Sequence, residues 1–72
     1  MTDEIILDVR GLMPPDPLVK VLDALEILPP GGRLRMVHHR EPFPLYSILQ
    51  DEGYQHRSET FADGHFEIVI WR

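Results

Sequence analysis

A chain of 72 residues makes one domain, because domains seldom divide below that size, and one this short buries only about 60% of its unfolded surface. It has no cysteine, which removes disulfides, thiolate nucleophiles, persulfide carriage and thiolate metal ligands together. Its net charge of −5 disfavours nucleic acid as a partner, since phosphate contacts supply most of the affinity of nucleic-acid binders.

The acidic start, MTDEIILDV, lacks the basic and long apolar regions of a secretory signal. Uninterrupted apolar runs reach three or four residues, against about twenty for a membrane helix. These features predict a soluble cytoplasmic protein with no membrane partner. Arg33, Arg35 and Arg40 lie close in sequence and read as a solvated strand face rather than a nucleic-acid patch. A thin core without a disulfide or an obvious metal site would gain from pairing, so a monomer or a weak homodimer is expected.

Ile5 to Val9 reads as a first strand, with Ile5, Leu7 and Val9 sharing one face by the period of two. A helix is expected from about Asp16 to Leu28. Asp16 suits the N-cap and Pro17 the first helical position, where a missing N–H costs little. Leu18, Val21, Leu22, Leu25 and Leu28 form its apolar stripe, and Pro29-Pro30-Gly31-Gly32 ends it. A second strand follows from Arg33 to about His39, with Leu34, Met36 and His38 on one face. The next helix runs from about Phe43 to Glu52, turns Leu45, Ile48 and Leu49 inward and stops at Gly53. Tyr54 to Phe61 and His65 to Trp71 are the last strands, joined by Ala62-Asp63-Gly64 as a hairpin turn. The order β-α-β-α-β-β predicts an α+β fold, a two-layer sandwich with both helices on one sheet face.

A shift of 27 residues superposes the halves: Leu7 and Val9 fall on Leu34 and Met36, Pro15, Pro17 and Leu18 on Pro42, Pro44 and Leu45, and Val21 and Leu22 on Ile48 and Leu49. Each half reads as a strand followed by a P-x-P-L turn and a helix, the βα unit that parallel strands require.

The stretch Leu7-Asp8-Val9-Arg10-Gly11-Leu12-Met13-Pro14-Pro15-Asp16-Pro17-Leu18 resembles the TusA (SirA-like) sulfur-carrier family. That family's motif is C-P-x-P, with the cysteine accepting a persulfide at the start of the first helix. Pro14 stands at the cysteine position, and Pro15 and Pro17 match the motif prolines. The run Arg40 to Tyr46, R-E-P-x-P-L-Y, looks like a TusA-related branch catalogued as domain of unknown function 2249. The resemblance spans nearly the whole chain. It implies a four-stranded mixed sheet in the order 1-2-4-3, with the fourth strand antiparallel. Proline has no nucleophilic atom, so sulfur relay by the family mechanism is ruled out.

In this topology the ends of strands one, two and three gather at one edge with both helix N-termini and the hairpin. That edge collects Arg10, Met13, Pro14, Asp16, His38, His39, Arg40, Glu41, Phe43, Asp63 and His65, and crevices beyond strand ends are common ligand sites. An anion would find helix dipoles there, strengthened by Arg10 and Arg40, but prolines remove N–H donors from both turns. A metal would need His38 and His65 to meet, aided by Asp63 or Glu41. His38 and His39 point to opposite faces and do not share an ion. Catalysis lacks a signature: Asp16 reads as a cap, Glu41 as a first-turn charge, Asp63 as a turn residue, and Ser47 sits inside a helix. Met13, the prolines and Phe43 form a stiff, partly apolar surface suited to a partner. Phe43 falls outside the buried stripe of its helix. The opposite sheet face, with Ile6, Asp8, Arg33, Arg35, Val37, Glu67, Val69 and Trp71, reads as solvated, with a dimer seam around Trp71 as the alternative.

The sequence therefore predicts a non-enzymatic binding module without a cofactor. It recognises a protein partner or small ligand through Arg10, Met13, Pro14, Asp16, His38, Arg40, Glu41 and Phe43. The alternative is a small anion- or metal-binding domain using Arg10, Arg40, His38 and His65.

Overall fold

The computed structural model describes residues 4–72; residues 1–3, the beginning of the acidic start, lie outside them. The elements are β1 (Glu4–Asp8), α1 (Asp16–Glu26), β2 (Arg33–His38), α2 (Phe43–Asp51), β3 (Gln55–Thr60) and β4 (Phe66–Trp71). They form one four-stranded sheet in the order β1-β2-β4-β3. β1 and β2 are parallel, while β4 runs antiparallel to both β2 and β3. This is the α+β architecture expected from the sequence.

Alternation places Leu34, Met36 and His38 of β2 on the helix-covered face, with Ile68 and Ile70 of β4 beside them in register. Val21 and Leu25 from α1 and Leu45 and Leu49 from α2 close over them, leaving Val9, Val21, Leu34, Leu49, Ile68 and Ile70 with no measurable exposure. Each such side chain contributes roughly 1.5–3 kcal/mol by leaving water. Position within the helices follows the i, i+4 spacing of Pro17, Val21 and Leu25 in α1 and of Leu45 and Leu49 in α2.

The internal repeat has a structural counterpart. Pro15 and Pro42 are the N-cap residues of α1 and α2, and each helix carries its second motif proline within the first two positions. Parallel pairing sets Ile5 beside Leu34 and Leu7 beside Met36. The halves are thus displaced by two residues relative to the sequence superposition, a shift that preserves the inward face because the strand period is two.

Three local expectations change. α1 begins one residue before the expected first turn, so Pro15 rather than Asp16 is the N-cap, and no side chain caps the helix. The Val19 N–H bonds the Pro15 carbonyl at 3.1 Å, which already starts the ladder. Asp16 is left inside the first turn, where it meets only the helix dipole. α1 also ends at Glu26, not Leu28, because the Leu28 N–H tightens onto the Leu25 carbonyl. Phe61 lies beyond β3 and closes the hairpin, its N–H donating to the His65 carbonyl at 3.0 Å.

The helix-free face is more organised than an ordinary solvated surface. Arg35 bonds both Glu4 and Glu67, and the Arg33 guanidinium lies 5.4 Å from the Trp71 ring centre. Val69, flanked in register by Arg35 and Arg57, is only 3% exposed. Long side chains commonly shelter apolar surface in this way while keeping their charges in water.

Candidate functional site

The two P-x-P-L turns stand side by side at the C-terminal end of β1 and β2, and a cavity of about 210 Å³ opens between them. Pro14, Pro15 and Pro17 line it from the first turn, and Pro42 and Pro44 from the second. Leu18, Met36 and Leu45 supply the rest of its apolar wall, while His38, Arg40 and Glu41 are its polar residues. Proline walls lose little freedom when a ligand arrives, since their backbone is already fixed.

Local sequence explains the absence of a phosphate cradle. Pro15 and Pro17 in the first turn have no N–H, and that of Asp16 is spent on the Met13 carbonyl. Pro42 and Pro44 likewise lack one, and those of Phe43 and Leu45 go to the Glu41 and Pro42 carbonyls. An anion at a helix N-terminus depends on free N–H groups, and these turns are nearly stripped of them.

His38 is the unusual member of the lining. It is 7% exposed, and its Nδ1 is buried with no hydrogen-bond partner among the described residues. Burial pushes its pKa below the ordinary value, with the nearby His39 and Arg40 charges acting in the same direction. The ring is therefore neutral at physiological pH. Buried polar groups are nearly always paired with protein or water, so Nδ1 of His38 is the atom of the lining with unused hydrogen-bonding capacity.

Four of the eight residues expected to recognise a partner come together here, Pro14, His38, Arg40 and Glu41, with Pro15, Pro42 and Pro44 of the expected apolar surface. Met13 and Phe43, 72% and 66% exposed, lie on the same turns but do not line the cavity. Phe43 packs edge-on against Tyr46 at 6.1 Å, and Tyr46 stacks on His56 and shares a 2.7 Å hydrogen bond with Ser58. Asp16 stays exposed at the start of α1. Arg10 forms an ion pair with Asp8 at 2.8 Å and holds that carboxyl down at a pKa of about 2. The sequence reading missed Leu18, Met36 and Leu45 as lining, because their periodicity marks them as core.

The histidines are arranged differently from the expectation. His38 pairs in register with Phe66 on the helix-covered face, whereas His65 bonds Glu67 on the opposite one. His65 and His38 therefore do not meet, and the set Arg10, Arg40, His38 and His65 is divided between the two sheet faces. His38 and His39, expected to diverge, instead have rings 4.6 Å apart, because β2 ends at His38 and strict alternation ends with it. Among the described residues no group of three or more His, Cys, Asp or Glu side chains is arranged to hold a metal ion.

At the hairpin, His65 offers Nδ1 to Asp63 and Nε2 to Glu67, the latter at 2.8 Å. Both acceptors are carboxylates, so the protonated ring, with a donor on each nitrogen, satisfies the two together. Its pKa is raised, first by Glu67 and then by Asp63. The Phe61 ring stacks on it at 4.5 Å.

Comparison with known proteins gives two findings. The family described as Uncharacterized conserved protein (DUF2249) matches residues 6–72. The chain is also similar to the crystal structure of a SirA-like protein from Desulfitobacterium hafniense, with 23% identity, a TM-score of 0.80 and coverage of 92% of this chain and 93% of that one. At that identity the likeness establishes the fold. No curated protein matches the sequence. No helix among the described residues is long and apolar enough to cross a membrane.

Proposed function

The chain belongs to the family described as Uncharacterized conserved protein (DUF2249) and has the SirA-like fold, and from that premise we propose that it is a non-enzymatic binding module. It takes a compact apolar group, presented by a protein partner or a small ligand, into the cavity between the two P-x-P-L turns. The observation that carries this reading is the apolar cavity with the buried, unpartnered His38 in its wall. Pro14, at the position where the resembled sulfur carriers hold their cysteine, contributes wall rather than chemistry. The exposed Met13 and Phe43 extend the contact surface beyond the cavity. The module works in the cytoplasm as a monomer or weak homodimer, with no metal and no nucleic acid.

A reading as an anion or metal site has no comparable support, since the prolines withhold N–H donors and the arginine–histidine set is split between faces. The test is native mass spectrometry of protein purified gently from its own source, beside two cavity-filling variants. Leu18→Trp fills the site from one wall and Pro44→Trp from the other. A bound species lost from both variants, with circular dichroism unchanged, supports the proposal. Retention of every bound species in both variants overturns it.

A further inference from the structure

The polar residues of the cavity narrow its occupant, given the reading of that cavity as a binding site. Arg40 and Glu41 are consecutive, carry opposite charges and both line the apolar cavity. Arg40 has no carboxylate partner among the described residues. The Glu41 side chain is met by the Tyr46 hydroxyl at a long 3.4 Å, leaving acceptor capacity. A neutral His38 adds no charge, so the lining is balanced rather than cationic or anionic. A ligand that satisfies it needs one positive and one negative group close together beside an apolar body.

Size sets the next limit. A cavity of about 150 Å³ accepts benzene in a well-studied case, so about 210 Å³ accommodates a branched aliphatic group or one ring. Phosphate and sulfate esters are disfavoured, because prolines and internal turn bonds withhold most N–H donors at both helix starts.

We propose that the cavity binds a free amino acid with a branched aliphatic or single-ring side chain. The side chain enters between the two proline turns, the carboxylate meets Arg40 and the ammonium meets Glu41. The apolar wall, Arg40 and Glu41 then each have a counterpart on one small molecule.

Amide and methyl NMR titrations near neutral pH test this with five probes. L-Leucine and L-phenylalanine carry all three features. 4-Methylpentanoate lacks the ammonium, 3-methylbutylamine lacks the carboxylate, and glycine lacks the apolar body. Leucine or phenylalanine is expected to shift the Met36, Leu18 and Leu45 resonances, with each incomplete probe weaker by about tenfold or more. Arg40→Ala and Glu41→Gln, both in the cavity lining, are each expected to weaken leucine by about tenfold while leaving distant resonances in place. Equal binding of the acid or the amine, or indifference to both substitutions, overturns the proposal. So does the absence of any shift with millimolar leucine and phenylalanine. If that absence accompanies a bound species that Leu18→Trp displaces, the amino-acid proposal falls and the binding-module reading stands. If Leu18→Trp displaces nothing, both fall.

Discussion

His38 concentrates the residue-scale consequences. Its folded-state pKa lies below the ordinary 6.5 because burial disfavours the charged ring. The unfolded chain then binds the proton first as pH falls. Stability is complete above about 6.5 and declines as pH drops through that value toward the folded pKa. His38→Phe removes the titrating group and a buried polar atom that has no partner, a change that is neutral or stabilising when shape is kept. We predict a Tm at neutral pH equal to or above that of the native chain, and a shallower loss between pH 6.5 and 5, read by thermal melts across that range. A lower Tm together with loss of all bound species would show instead that the ring serves the ligand directly. At this scale the site was partly legible. Arg40, Glu41 and Pro14 sit beside unmistakable turn signals. Met36, Leu18 and Leu45 were hidden, because a residue that lines a cavity and one that fills a core have the same periodicity.

Between elements, the hairpin behaves in the opposite sense to His38. His65 has its pKa raised by Glu67 and Asp63, so its contribution is present below about 6.5 and is lost as pH rises through the folded pKa. Glu67→Gln leaves Nε2 facing a neutral amide and is predicted to lower the His65 pKa. It should also speed amide exchange at Phe61 and Gly64, whose N–H groups close the turn, measured by imidazole NMR titration and hydrogen exchange. The pairing of His65 with both acids was not readable from sequence, where Asp63 marked only a turn. α2 ends at Asp51 and is stopped by Gly53, whose φ of 81° lies in the left-handed region with nothing within 4 Å of an added Cβ. Gly53→Ala therefore strains backbone alone and is predicted to cost about 1–2 kcal/mol in urea unfolding. That stop was visible in the sequence as a glycine after the last inward leucine. The cap of α1 was not, since Asp-Pro is compatible with a start at either residue and the preceding Pro15 settles it one position earlier.

For the whole molecule, topology was the most legible level. Alternating strands, two helical stripes and a 27-residue repeat already specify a two-layer sandwich, and the family resemblance supplied the strand order. What the sequence left open was how charge covers the helix-free face, because ion pairs such as Arg35 with Glu4 and Glu67 join residues more than thirty positions apart. The core is small, so its members are costly to lose. Ile68→Ala, at a position with no exposure in the central strand β4, is predicted to remove about 2–5 kcal/mol, a large part of the roughly 5–15 kcal/mol that domains typically possess. Ile6→Ala, 68% exposed on the other face, should change stability by no more than about 0.5 kcal/mol. Similar losses at both positions would mean that the outer face is covered in solution.

On the proposed reading, the cavity between the proline turns is where this domain meets its ligand. Native mass spectrometry of the gently purified protein beside Leu18→Trp addresses it most directly. A bound species on the native chain and none on the folded variant is the expected result. The same bound species on both, with the introduced indole seated in the cavity, would contradict it.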